Sequence, residues 1–223
     1  MSARPALIFD VDGTLIDSQG AIVEAMRLAF SDHDIEGFDP DKVRRIVGLS
    51  LLQAVEALLP NHDGNTHYSV AEAYKGNFRH ALEANGEERL FDGIGAMVKA
   101  LDADNHLMSV ATGKSRRGLD RVLQTYEMTP YFISLQTADN NPSKPHPAMV
   151  QTALADMGVE PQDAIMIGDT SFDMLMARNA GVAAIGVAWG YHEEDEMRAA
   201  GAQHIARDVP HLHQILKDWR VAA

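Results

Sequence analysis

The sequence predicts an α/β fold, a doubly wound parallel sheet with a helical block inserted after its first strand. Three observations carry this. Leu7-Ile8-Phe9 is apolar on both faces and runs straight into Asp10-Val11-Asp12-Gly13-Thr14, as a buried central strand does when it ends at a ligand site. Helix-period patterns then continue for some seventy residues without a strand signal. From Phe91-Asp92-Gly93 onward helix and strand patterns alternate, the rhythm of a parallel sheet built by crossover helices.

The first strand ends in two carboxylates. Asp10 and Asp12 stand two apart on extended chain and point to one side together. So close a pair repels unless a cation or a proton lies between them. Asp-Gly is also an ordinary turn signal, and a carboxylate can cap a helix, so the pair is informative only if other groups join it. A calcium loop opening at Asp10 needs Gly at position 15 and Glu at position 21, where the chain has Leu15 and Ala21.

Asp17 or Ser18 can cap a first helix with Ile22, Ala25, Met26, Ala29 and Phe30 inward. Asp41 can open a second with Val43, Ile46 and Val47. Leu51, Leu52, Val55, Leu58 and Leu59 suit a third, stopped by Pro60. A polar loop over 61–67 precedes a longer helix carrying Val70, Tyr74, Phe78, Ala81 and Leu82, which ends near Asn85-Gly86.

The alternating part follows. Ile94, Met97, Val98 and Leu101 mark a helix, and Leu107 to Ala111 a strand ending at Thr112-Gly113. Leu119, Val122, Leu123 and Tyr126 mark a helix, Tyr131 to Leu135 a short strand, and 137–147 a loop. Met149, Val150, Leu154 and Met157 lie on a helix closed by Gly158; Ala164 to Ile167 is a strand ending in Gly168-Asp169-Thr170. A helix from Met174 to Ala180 stops at Gly181, Ala183 to Ala188 is a strand, and Leu212, Ile215, Leu216 and Trp219 give a terminal helix. The domain division expected is a core of 1–16 and 87–223 with a helical cap of 17–86.

Composition narrows the function. A formal net charge of -13 excludes a general nucleic-acid surface, because phosphate backbones are gripped mainly by Lys and Arg. No apolar run reaches the length of a membrane span, and the absence of cysteine rules out disulfides and thiolate metal sites, which suits a cytoplasmic protein. The partner expected is a small molecule; the oligomeric state is not legible.

Chemistry-bearing groups recur at successive strand ends: Asp10 with Asp12, Thr112 with Gly113, Lys144 in a loop, and Asp169 with Asp173. In a parallel sheet these ends share one edge. With Asp10-Val11-Asp12-Gly13-Thr14, Ala111-Thr112-Gly113, Ser143-Lys144-Pro145 and Gly168-Asp169-Thr170 plus Asp173 in order, the chain resembles the haloacid dehalogenase-like hydrolase superfamily. The resemblance is to its phosphoglycolate phosphatase-like subgroup, with a Rossmann-like core and a helical cap.

That resemblance implies roles. Asp10 would be the nucleophile and Asp12 the acid that protonates the leaving alkoxide and then deprotonates water. Thr112 and Gly113 would hold phosphoryl oxygens, and Lys144 would supply fixed positive charge. Four carboxylates against one lysine leave about three formal negative charges, which Mg²⁺ suits as a hard cation. Its implied ligands are Asp10, the Asp12 carbonyl and Asp169, with Asp173 behind them or joined through water. Asp12 itself favours phosphate esters over carbon-halogen or carbon-phosphorus cleavage, because the family members cleaving those bonds lack an acid there.

The activity implied is Mg²⁺-dependent hydrolysis of small, phosphoglycolate-like phosphate monoesters through an aspartyl-phosphate. A sugar phosphomutase shares all four motifs, and an idle binding module is the alternative from another class. Arg44, Arg45 and Gly48 form a basic cap segment from which one arginine, Arg45, is expected to reach the substrate. Lys114, Arg116 and Arg117 put cations at a helix start, where the dipole asks for an anion; Lys114 is expected to meet it. The ten histidines form no metal-ligand group, His146, His211 and His213 reading as loop or surface residues, and Trp189 and Tyr191 as packing.

Overall fold

The computed structural model describes residues 4–85 and 88–219. Strand β1 (Ala6–Phe9) leads into the Asp10–Thr14 turn and a two-residue strand, β2 (Ile16–Asp17). Four helices follow: α1 (Gln19–Ser31), α2 (Pro40–Arg45), α3 (Leu51–Leu58) and α4 (Gly64–Asn85). The chain returns through β3 (Arg89–Leu90), antiparallel to β2 with Ile16 opposite Leu90.

Helices and strands then alternate through α5 (Ile94–Ala103), β4 (Met108–Thr112), α6 (Arg116–Thr125), β5 (Ser134–Thr137), α7 (Ala148–Met157) and β6 (Ala164–Gly168). The series ends with α8 (Ser171–Ala180), β7 (Ala183–Val187), α9 (Glu194–Ala200), β8 (His204–Ala206) and α10 (Val209–Asp218). Six strands make one parallel sheet in the order β5-β4-β1-β6-β7-β8. The chain builds outward from β1 on one side and then, from β6, on the other. That reversal opens a crevice at the carboxyl ends of β1, β4 and β6.

The sheet is Rossmann-like, and its period-2 geometry sorts the core. Leu7 and Phe9 face a layer with Val110, Leu119, Ile165 and Leu212, whereas Ala6 and Ile8 face Met149, Met166, Met174 and Met197. Each fully buried side chain of this kind stabilises by about 1.5–3 kcal/mol. The helices between β2 and β3 have their own apolar cluster, in which Met26, Ala29 and Phe30 of α1 meet Val43, Val55 and Val70. Among the described residues no helix is long and apolar enough to cross a membrane.

Several local expectations are corrected. Asp39, not Asp41, caps α2, its carboxylate accepting from the Asp41 amide at 2.9 Å. Leu52 is 43% exposed rather than inward. Helix α4 starts at Gly64, inside the expected loop, and His67 Nε2 is 2.8 Å from the Leu59 carbonyl oxygen. Ser18 precedes α1 without a side-chain cap. Tyr131 belongs to a single 3₁₀ turn, so the strand after it begins only at Ser134. Strands β2, β3 and β8 and helix α9 had no clear sequence signal. The expected stop at Gly86 lies outside the described residues.

Candidate active site

The site is assembled where β1, β4 and β6 end. Asp10 follows β1 directly, its amide donating to the Ile167 carbonyl at 2.9 Å, which keeps it in sheet register. Gly13 turns the chain with φ +85; a Cβ there would lie 2.3 Å from Asp169 Oδ2, so both backbone conformation and space demand glycine. The turn in exchange delivers Thr14, whose hydroxyl donates to Asp169 Oδ1 at 2.8 Å. The Tyr191 amide donates to Asp169 Oδ2 at 2.9 Å, so the carboxylate at the end of β6 is fixed from two sides.

Lys144 is fully buried, with Nζ 2.7 Å from Asp10 Oδ1 and 2.7 Å from Asp173 Oδ1. Asp173 is also the third residue of α8 and closes a capping box: its Oδ2 accepts from the Thr170 amide and, at 2.7 Å, from the Thr170 hydroxyl. Capping and electrostatics thus use the same side chain. Burial would lower the Lys144 pKa, but Asp10 and Asp173 together raise it, so the ammonium stays charged.

Asp10 lies opposite. Burial above all, opposed by Lys144 and reinforced by Asp173 and Asp12, pushes it up to about 7. Burial first, then Asp10 and Asp173, raise Asp169 well above the carboxylate range. Oxygens of Asp10, Asp169 and Asp173 lie within 4.8 Å of one another. Three carboxylates against one ammonium leave a formal excess of two negative charges in a buried pocket. Neither oxygen of Asp10 has a partner in hydrogen-bond geometry, although Lys144 stands beside one of them. Buried orphan oxygens, a double negative excess and an all-oxygen donor set fit a hard divalent cation.

Asp12 turns to a second cation. Lys114 Nζ is 2.8 Å from Asp12 Oδ1 and 2.6 Å from Glu88 Oε1, and Arg121 also pairs with Glu88. Asp10 and Asp12 therefore have separate lysines, Lys144 and Lys114. Burial would depress the Lys114 pKa, but Asp12 and Glu88 raise it. The Thr112 hydroxyl accepts from the Lys114 amide at 3.2 Å, which leaves its proton to give. Gly113 lies against the loop after α2: a Cβ would come within 2.6 Å of the Gly48 and Leu49 carbonyl oxygens. The Ser50 amide donates to Ser143 Oγ at 2.7 Å beside Lys144.

A chamber of about 400 Å³ lies between this edge and the inserted helices, bordered by Asp10, Asp12, Thr112, Gly113 and Lys114 and by Tyr74 and Phe78 of α4. Arg45 does not border it. Its guanidinium lies 2.5 Å from Glu196 of α9 and is more than half exposed, so the structure does not bring it together with the other candidate residues. Arg116 is likewise paired with Asp120. Lys114 reaches the chamber, but already between two carboxylates. Trp189 and Tyr191 do more than pack: Trp189 Nε1 donates to the Thr14 carbonyl at 3.1 Å, and the Tyr191 amide holds Asp169.

Glu88 was missed by sequence reasoning, because it sits in a charged run with no motif. Its one signal was position, just where the chain re-enters the core.

A family model described as haloacid dehalogenase-like hydrolase matches residues 7–187 of the chain. The chain is 34% identical over 222 residues to the probable phosphatase IndB of Dickeya dadantii, with 96% of each covered. It is 28% identical over 214 residues to a 5'-nucleotidase of Pseudomonas aeruginosa, again with 96% of each covered. Among solved structures, a predicted phosphatase from Clostridium acetobutylicum superimposes with a TM-score of 0.87 at 26% identity, covering 97% of this chain and all of that one.

Proposed function

Because the chain belongs to the haloacid dehalogenase-like hydrolase family, and is a phosphatase of that family, we propose that it hydrolyses small phosphate monoesters in a Mg²⁺-dependent reaction through a phosphorylated Asp10. The observation that carries the reading is Asp10 itself, a buried carboxylate at the sheet edge with both oxygens unengaged by hydrogen bonds and a fixed ammonium 2.7 Å away.

An Asp10 oxygen attacks phosphorus, its new O–P bond forming as the ester P–O bond breaks. Asp12 gives a proton to the departing alkoxide. The same carboxylate then takes one from the water that attacks phosphorus, which frees phosphate and restores Asp10. Thr112 donates to a phosphoryl oxygen, and Lys144 holds Asp10 in line while offsetting charge that builds in the transition state. Asp10 and Asp169, with the Asp12 carbonyl, would hold the Mg²⁺, and Asp173 would stand behind them, its oxygens already taken by Lys144 and Thr170. Bound there, the ion neutralises the carboxylates and polarises the phosphoryl group.

Residues 17–86 serve in this reading as a cap over the 1–16 and 87–223 core, excluding water and contacting the alcohol. The test is phosphate release from a panel of esters with Mg²⁺ and with EDTA, repeated on Asp10→Asn. Release that needs Mg²⁺ and vanishes in the variant is expected. Release unaffected by both EDTA and the substitution overturns the proposal.

A further inference from the structure

The chamber beside Asp12 carries an unusual charge arrangement. Asp12, Glu88, Lys114 and Arg121 form a contiguous set of two carboxylates and two cations, formally neutral, and the Glu88 side chain at its centre is 2% exposed. Lys114 Nζ also lies 5.5 Å, and the Arg121 guanidinium 5.8 Å, from the Phe78 ring centroid. Lys114 is therefore engaged three times, by Asp12, Glu88 and an aromatic face, and Arg121 twice, by Glu88 and the same face. Lys75, Arg79 and Arg117 also border the chamber; all three are exposed, as is the Arg121 side chain at 45%, so solvent screens these cations and leaves Lys114 as the half-buried one.

The wall toward the inserted helices is mostly apolar, with Ile22, Met26, Val47 and Leu51 beside Tyr74 and Phe78, whose rings are 5.7 Å apart, and Lys75 at its exposed edge paired with Glu72. An alcohol bearing its own carboxylate would have to displace Glu88 from Lys114 or lose its hydration against hydrocarbon. An uncharged ring meets none of these costs, and the volume of about 400 Å³ is in the range of pockets that enclose ring-bearing ligands.

Resting on the phosphatase reading, we propose that the substrate is a phosphate monoester of an uncharged alcohol carrying an aromatic or heteroaromatic ring. Phe78 supplies the ring contact, and Glu88, buried behind the chamber wall, occupies Lys114 so that this ammonium offers little to an anionic alcohol. This departs from the phosphoglycolate-like ester implied by the sequence.

The experiment compares kcat/KM for benzyl phosphate and uridine 5'-monophosphate with that for phosphoglycolate and glycerol 3-phosphate, all alkyl esters that need protonation on leaving. At least one ring-bearing ester is expected to lead by about tenfold or more. Which of the two leads separates a plain aromatic from a nucleoside. Phe78→Ala, and Phe78→Leu as the volume-keeping control, should raise KM for the ring esters about tenfold more than for phosphoglycolate. Glu88→Gln should shift preference toward phosphoglycolate by releasing Lys114 and Arg121. Phosphoglycolate turned over as efficiently as both ring esters by the unmodified protein, or both Phe78 variants keeping the original KM, overturns this inference and leaves the phosphatase reading intact. No phosphate released from any ester overturns both.

Discussion

Gly113 stands so close to Gly48 that a single methyl on its Cα would lie 2.6 Å from the Gly48 carbonyl oxygen. The carboxyl edge of the sheet and the inserted helical block thus meet backbone to backbone. Gly113→Ala is expected to push the 46–49 loop outward, raising KM for every ester and destabilising by about 1–3 kcal/mol. Urea melts and steady-state kinetics check it; an unchanged KM would show that the contact does not shape the site.

Lys144 holds two buried carboxylates apart. Lys144→Met leaves Asp10 and Asp173 buried without a counter-charge, and stability without added metal should fall by about 3–5 kcal/mol. Denaturant titration in EDTA measures this. A loss below about 1 kcal/mol would mean that the carboxylates take up protons without penalty.

Asp12 is separated from Asp10 by having its own lysine. Asp12→Asn should slow alkyl esters by about 10²–10⁴-fold, as loss of a general acid does, and slow p-nitrophenyl phosphate far less in its first step because that leaving group departs without a proton. Burst kinetics on both esters read the difference. Equal losses in the first step would remove Asp12 from the acid role.

Lys114→Ala separates tether from anchor. Lys114 lies between Asp12 and Glu88, so its loss should lower kcat by freeing Asp12, with more effect on alkyl than on aryl esters. A rise confined to KM, equal for all esters, would make it a substrate anchor instead.

Stability should depend on pH through His106. Burial pushes its pKa below the usual 6.5, against the opposing contact of Nδ1 with the Pro5 carbonyl at 2.9 Å. Unfolded chain gains a proton near 6.5 while the folded form resists until lower pH, so stability present above 6.5 is lost as pH falls toward the folded pKa. Burial moves His213 the same way. Urea midpoints at pH 7.5 and 5.5 should differ less in His106→Gln than in the unmodified protein; an equal difference would put the effect elsewhere.

Much of the fold was legible because its signals are local. Leu7-Ile8-Phe9 needed burial on both faces, and Gly158 and Gly181 close their helices with φ +66 and +76. Asp10, Thr112, Lys144, Asp169 and Asp173 share an edge because strand ends of a parallel sheet must. What stayed hidden depends on contacts between distant segments. β8 has three residues and is recognisable only by pairing with Val187 and its neighbours. Arg45 looked free until α9 brought Glu196 to it, and Glu88 acquires meaning only through Lys114 and Arg121.

The helical insertion leaves and re-enters the core through one pair of two-residue strands, with Asp17 opposite Arg89. Its two ends are neighbours in space, so what lies between them is joined to the sheet as a stem joins a leaf. A different helical block with the same end spacing could be spliced onto that stem without disturbing the register of any of the six parallel strands. Such a replacement would have to rebuild the close approach of the 48–50 segment to Gly113 and Ser143.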